Sequence, residues 1–158
     1  MVPDNSSSHW TILKILKWTE SYFNSLNIDS PRLTAEILLC HCLKIKRLDL
    51  YLQYDRPLNK KELSVYKHLI SRRAQREPVA YITGTKGFWE SDFSVNPNVL
   101  IPRPDTEVLV EAALKILGMA EERGKNNRVL ELGVGSGAVI ISLADIYPSN
   151  FYFASDIS

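Results

Sequence analysis

The stretch from Arg128 to Asp156 constrains this chain more than any other. Arg128-Val129-Leu130-Glu131-Leu132 is a short, mostly apolar run of the kind a buried parallel strand requires, and it leads directly into Gly133-Val134-Gly135-Ser136-Gly137. Residues without a Cβ let the backbone turn sharply from strand to helix and approach a ligand closely. The helix expected from about Ala138 to Ile146 points its first N–H groups at whatever sits at that turn, and Tyr147-Pro148 ends it. A second strand, Phe151 to Ser155, then runs to Asp156, which follows Gly137 by about 20 residues, the spacing of nucleotide-binding βαβ units. A carboxylate in that position accepts ribose hydroxyls, so the pattern predicts an adenosine-type ligand across the carboxyl ends of parallel strands.

The glycines also satisfy the dinucleotide form of the motif if Ala138 is counted as the third small residue after Gly133 and Gly135. Glu131 tilts the choice. An acid at the strand end helps hold a cationic amino group such as that of a methionine moiety, whereas it repels a pyrophosphate. No Gly-Lys-Ser/Thr sequence occurs, which excludes a P-loop.

Upstream, the pattern is helical. Ile12, Ile15, Leu16, Tyr22, Phe23 and Leu26 recur at helical spacing between Trp10 and Leu26, with Ser8 as the expected cap. Asp29 or Ser30 before Pro31 marks a second start, whose buried face is read as Leu33, Ile37, Leu38 and Cys42. A third helix is expected over Arg47–Tyr54. A fourth opens at the Asn59/Glu62 capping box, carries Leu63, Tyr66, Leu69, Ile70 and Arg73 to about Arg76, and stops at Pro78. Phe88-Trp89 and Phe93-Ser94-Val95 around Glu90-Ser91-Asp92 read as a β-hairpin. Beyond Pro102-Arg103-Pro104, Asp105 or Thr106 is positioned to cap a helix carrying Val108, Leu109, Ala112, Ala113, Ile116 and Leu117, with Gly118 to Asn127 as its polar exit. The fold class is therefore α plus α/β: a small all-helical domain (1–77), a β-hairpin connector (78–104), and the first part of a Rossmann-like domain (105–158).

Composition narrows the partners. A net charge of +1 with 23% charged residues demands no polyanion, and direct nucleic-acid binding is not expected. No apolar run reaches membrane-spanning length, and Met1–His9 resembles neither a secretory signal nor a basic transit peptide, so a cytoplasmic protein without a membrane partner is expected. Cys40 and Cys42 point in separate directions on one helix, and His9, His41 and His68 lack ligand spacing; no metal site is assigned.

Three ordered blocks add a family resemblance. Arg76-Glu77-Pro78-Val79-Ala80-Tyr81-Ile82-Thr83-Gly84, then Ile101-Pro102-Arg103-Pro104-Asp105-Thr106-Glu107, then Leu130 to Ile140 look like successive signatures of the release-factor glutamine methyltransferases, the HemK-like proteins. The helix start at Asp29-Ser30-Pro31-Arg32-Leu33 resembles the amino-terminal domain of that family. The resemblance implies methyl transfer from S-adenosylmethionine to the side-chain amide of the Gly-Gly-Gln glutamine of class I peptide chain release factors. It implies that Glu131, Gly133, Val134, Gly135, Ser136, Gly137 and Asp156 hold the cofactor, that Pro102, Arg103, Pro104 and Glu107 border a substrate pocket, and that the helical domain docks the release factor.

One departure bears on the chemistry. The Asn-Pro-Pro-Tyr motif that grips the target amide in the family does not occur in the 158 residues, and Asn96-Pro97-Asn98 is no substitute. The chain is accordingly expected to be a truncated enzyme, inactive by itself, with no catalytic residue of its own, and its two-strand sheet is expected to leave an unpaired edge and uncovered apolar faces. Three alternatives stay open: a non-catalytic release-factor-binding module, a methyltransferase acting on another amino-group acceptor such as DNA adenine, and a dinucleotide oxidoreductase.

Overall fold

A computed structural model of the chain describes residues 10–157; Ser8 and His9 lie outside the described residues. The chain divides into two compact units, Met1–Thr83 and Gly84–Ser158.

The first unit is helical. Its elements are α1 (Ile12–Ser25), α2 (Pro31–Leu43), α3 (Arg47–Leu52), α4 (Lys60–Ala74) and the short α5 (Val79–Thr83). Thr11 caps α1, its hydroxyl accepting the Lys14 N–H at 3.4 Å. The α1 stripe buries Ile12, Ile15, Leu16, Thr19 and Phe23. Asn59 and Glu62 form the expected capping box of α4, each side chain bonded to the other's backbone N–H at 2.9 Å. Tyr66, Leu69 and Ile70 then fill the core, and the Tyr66 hydroxyl donates to the Ala35 carbonyl at 3.0 Å.

Several boundaries and faces differ from the sequence reading. Ser30 makes no side-chain cap; its backbone is left-handed (φ 46°, ψ 56°) rather than extended, and only its carbonyl serves the helix, accepting the Thr34 N–H. α3 ends at Leu52 rather than Tyr54, and α4 ends at Ala74 rather than Arg76. Arg76 takes a left-handed φ of 70° that breaks the helix, and its guanidinium donates to the carbonyls of Leu26 and Asn27. The helix α5 has no counterpart in the sequence reading.

The buried face of α2 is also rotated. Ala35, Leu38 and Leu39 are fully buried, whereas Leu33 and Ile37, expected inside, are partly exposed at 41% and 37%. The reason is Glu36, which is 0% exposed. Its carboxylate accepts from Arg32 Nε, Arg47 Nε and the Tyr51 hydroxyl, each at 2.6 Å. A buried carboxylate needs such partners, and here they tie α3, too short to hold itself, to α2.

The second unit begins with the hairpin of β1 (Thr85–Phe88) and β2 (Ser91–Ser94), paired antiparallel with Phe88 opposite Ser91. The turn therefore falls on Trp89-Glu90, two residues, and not on Glu90-Ser91-Asp92, because Ser91 and Asp92 are already in the ladder. Trp89 has a positive φ of 54°, a costly conformation for a bulky residue, and its N–H donates to Glu107 Oε1 at 3.2 Å. A single 3-10 turn (Pro104–Thr106) leads into α6 (Glu107–Glu121). Neither Asp105 nor Thr106 caps it as expected: Thr106 already has helical angles, so its side chain is not presented to the first N–H groups.

The helix runs through Gly118, expected to begin a loop, and a Cβ at that glycine would lie 2.7 Å from the Tyr147 hydroxyl. Gly118 is thus a point of close packing. Val110 and Leu117 are buried on α6, while Val108, Leu109 and Ile116 stand 68%, 57% and 68% exposed. Strands β3 (Arg128–Leu132) and β4 (Phe151–Ser155) pair in parallel, Leu130 opposite Phe153, joined by α7 (Ala138–Ile146). Val129 and Tyr152 pack with Ala138 and Leu143 on one face of this sheet; Leu130, Leu132, Phe151 and Phe153 on the other are all more than half exposed. This alternation of helix and parallel strand is a partial Rossmann fold. Among the described residues no helix is long and apolar enough to cross a membrane.

Two outcomes test these tethers. Burial alone would push the Glu36 carboxyl up, but the bonds from Tyr51, Arg47 and Arg32 outweigh it and hold the group below its ordinary value. A depressed carboxyl contributes stability above its unfolded pKa and loses it as pH falls through the folded one. Glu36→Gln is expected to cost about 2–3 kcal/mol at neutral pH and to flatten the acid limb of a urea-denaturation series; a variant as stable as the parent would refute the tether. In the second unit, Glu107→Ala is expected to speed hydrogen exchange at the Trp89 amide about fivefold, with Glu107→Gln close to the parent. Unchanged exchange in the alanine variant would show that the bond holds nothing.

Candidate cofactor site

The glycine turn is built at the carboxyl end of β3, where the parallel ladder to β4 gives way. The Gly133 and Val134 N–H groups both donate to the Ser155 carbonyl, at 2.8 and 3.1 Å, so the turn starts while still fastened to the neighbouring strand. Gly133, Gly135 and Gly137 all have positive φ, 75°, 53° and 78°, which a side chain would strain. A Cβ at Gly133 or Gly135 would meet nothing within 4 Å, so the surface over the turn is open; at Gly137 it would meet Ile141 Cδ1 at 2.8 Å, a close fit against the helix. Gly137 stands at the N-cap of α7, where its carbonyl accepts the Ile141 N–H at 3.0 Å.

Asp156 reaches the glycine turn and Glu131 the first turn of α7. Asp156 Oδ2 accepts the Gly135 N–H at 2.7 Å, and its Oδ1 accepts the Ile157 N–H at 2.8 Å. Glu131 Oε2 accepts the Ile140 N–H at 3.0 Å, which makes it a cap for the third residue of α7 supplied from the preceding strand. Burial pushes the Glu131 carboxyl up, opposed by that N–H. Glu131, the turn and Asp156 are thus one hydrogen-bonded constellation, with Val134 carrying the Gly137 N–H on its carbonyl at 2.8 Å and Ser136 lying between the last two glycines.

The second sequence block is placed differently. Pro102 is half-buried, Arg103 and Pro104 are exposed, and Arg103 offers its carbonyl to the Thr106 N–H at 3.0 Å. Glu107 serves the hairpin through Trp89. Sequence reasoning missed the Ile140 N–H and the Ser155 carbonyl, because both are backbone groups whose side chains carry no sign of the bond. It also missed Glu36, although Arg32 and Glu36 stand four residues apart, the spacing of a helical ion pair. Among the described residues no group of three or more His, Cys, Asp and Glu is placed to hold a metal ion.

Residues 14–84 match the family model of the PrmC N-terminal domain. Among curated proteins, the chain is 45% identical over 139 residues to a release factor glutamine methyltransferase of Geobacter sulfurreducens, covering 88% of this chain and 47% of that protein. It is 41% identical over 138 residues to the protein of the same name from Nitratidesulfovibrio vulgaris, covering 87% and 45%. With that of Chlorobaculum tepidum it shares 40% over 150 residues, covering 94% and 51%. The chain spans about half the length of the curated relatives it matches. The chain thus carries a PrmC N-terminal domain over residues 14–84 and, through the glycine turn, is similar to release factor glutamine methyltransferases over about half of their length.

Proposed function

We propose that these 158 residues bind S-adenosylmethionine at the glycine turn and take part in methylating the Gly-Gly-Gln glutamine of a class I peptide chain release factor. The observation that carries the reading is the turn itself: open space over Gly133 and Gly135, with the Asp156 carboxylate on the Gly135 N–H and the Glu131 carboxylate on the Ile140 N–H at the start of the helix that follows. Asp156 would hold the ribose hydroxyls, Glu131 would face the cationic amino group, and Gly133, Val134, Gly135, Ser136 and Gly137 would line the cofactor at close approach. When bound, the cofactor supplies an electrophilic methyl group on a sulfonium.

What remains for the protein is to position the acceptor. An amide nitrogen is a weak nucleophile that must be desolvated and aligned before it reacts. Pro102, Arg103, Pro104 and Glu107 would border that pocket, with Glu107 acting through the hairpin turn it holds. The helical unit would dock the release factor. In support, α3 presents Leu48, Tyr51 and Leu52, each more than half exposed, on one helical face beside the exposed Arg47.

Calorimetric titration with S-adenosylhomocysteine tests the site directly. Binding is expected, and Asp156→Ala is expected to weaken it at least about tenfold through lost ribose bonds; a chain that takes up no adenosine ligand would sink the reading. With labelled cofactor and a release factor, label is expected on the Gly-Gly-Gln glutamine when these residues act together with an Asn-Pro-Pro-Tyr segment. Label on DNA adenine instead would reassign the acceptor.

A further inference from the structure

Charge is divided unevenly along the chain. Residues 1–83 hold 13 lysines and arginines against 8 aspartates and glutamates, and residues 84–158 hold 6 against 10. Within the helical unit the two kinds of cation are used differently. Arg32 and Arg47 pair with Glu36, Arg56 with Glu62 and Arg72 with Glu77, while Arg73 and Arg76 donate to main-chain carbonyls. The seven lysines are all exposed, and among the described residues none is in an ion pair. Such a surface attracts acidic partners.

At α3 this positive field meets apolar surface. Lys44 and Lys46 stand just before the helix, and its one acid, Asp49, is turned back to accept the Lys46 N–H at 2.9 Å. Leu48, Tyr51 and Leu52, at helical spacing on the side away from the buried Leu50, are 67%, 51% and 71% exposed. Arg47 lies one turn before Tyr51. Its Nε donates to Glu36 Oε2 at 2.6 Å, yet its side chain is still 58% exposed. A guanidinium carries five N–H groups, so a bond at Nε fixes its plane and leaves the amino nitrogens to take a second group. Glu36 is fully buried and orients the arginine from behind. A fork held in this way gives up little freedom when it receives a carboxylate, and arginine and tyrosine are the residues that anchor protein interfaces.

We infer that α3 is a docking surface for a protein segment bearing carboxylates beside apolar side chains, with Arg47 as the carboxylate receptor and Leu48 and Leu52 as the apolar seat. The phosphates of a nucleic acid would match the lysines but leave both leucines in water. The inference rests on the reading that the helical unit docks a release factor, and it names the surface and the chemistry of that contact.

Binding of the whole chain to a class I release factor is measured for the parent and for Leu48→Ser, Lys46→Glu and Arg47→Lys. Leu48→Ser and Lys46→Glu change exposed groups outside the Glu36 cluster, so their melting temperatures are expected to stay within about 3 °C of the parent. Each of the three is expected to weaken binding about tenfold, Arg47→Lys although it keeps the charge, and parent binding is expected to weaken as salt rises. Affinity for S-adenosylhomocysteine is expected to stay within about twofold of the parent. A second probe is a peptide with Leu and Glu at helical spacing, followed through the α3 amide resonances beside its Glu→Gln counterpart and an RNA hairpin. Shifts with the acidic peptide alone are expected.

Release-factor binding that survives Leu48→Ser and Lys46→Glu overturns the inference, since a loss in Arg47→Lys alone would reflect only the support of α3 by Glu36. Unmoved α3 resonances with the acidic peptide, or shifts with the RNA hairpin instead, overturn it as well. A parent that responds to the acidic peptide but does not bind the release factor overturns the partner reading and leaves the surface assigned.

Discussion

The glycine turn of the second unit is fastened at its tip by a bond from the Gly135 N–H to Asp156 Oδ2. It joins the tip of the glycine turn to the residue after β4, extending the connection that the β3–β4 ladder and the Ser155 carbonyl already make. Three glycines at positive φ have many other conformations open to them, and this bond adds to those of Gly133 and Val134 with Ser155 in restricting the turn to one. With it, and with Glu131 holding the N-terminus of α7 from the other side, the loop is ordered by side chains that also carry its charge. Order and electrostatics at this turn therefore come from the same two residues, and a substitution that alters one alters the other unless the acceptor oxygen is kept.

The helical unit solves a parallel problem with the opposite balance of charge. Glu36 is a fully buried carboxylate surrounded by donors, two of them arginines whose side chains still reach water. A pair of this kind gives little net stability compared with an apolar core, because desolvation offsets most of the attraction. What it does provide is placement. A six-residue helix such as α3 cannot persist alone, and only Leu50 anchors it in the core. The bonds from Arg47 and Tyr51 to Glu36 fix its rotation about that anchor.

The regular elements were legible where a local rule and a tertiary one agreed. The capping box at Asn59 and Glu62, the strand before Gly133 and the helix after Gly137 each follow from neighbours in sequence. Legibility failed where the deciding partner was distant. Nothing near Trp89 announces that Glu107 will hold a two-residue turn there, and nothing near Gly118 announces that the Tyr147 hydroxyl will need the space a side chain would fill. The face of α2 was misjudged because hydropathy assigns a glutamate to the surface, whereas Glu36 is covered by arginines that themselves still reach water. At the candidate site the two acids could be named from their places along the chain, while the backbone groups they bond could be found only in three dimensions.

The distribution of the three tryptophans has a practical side. Trp10 and Trp18 meet edge to face in the first unit, with Trp18 stacked on Tyr22 at 5.3 Å between ring centres. Trp89 is the sole tryptophan of the second. The molecule thus has a separate intrinsic fluorophore for each half. Emission from a Trp89→Phe chain would come from tryptophans of the helical half alone, and the difference from the parent would report on the hairpin and its α/β partner. Unfolding of the two halves can in this way be followed in one cuvette, without a label and without dividing the chain.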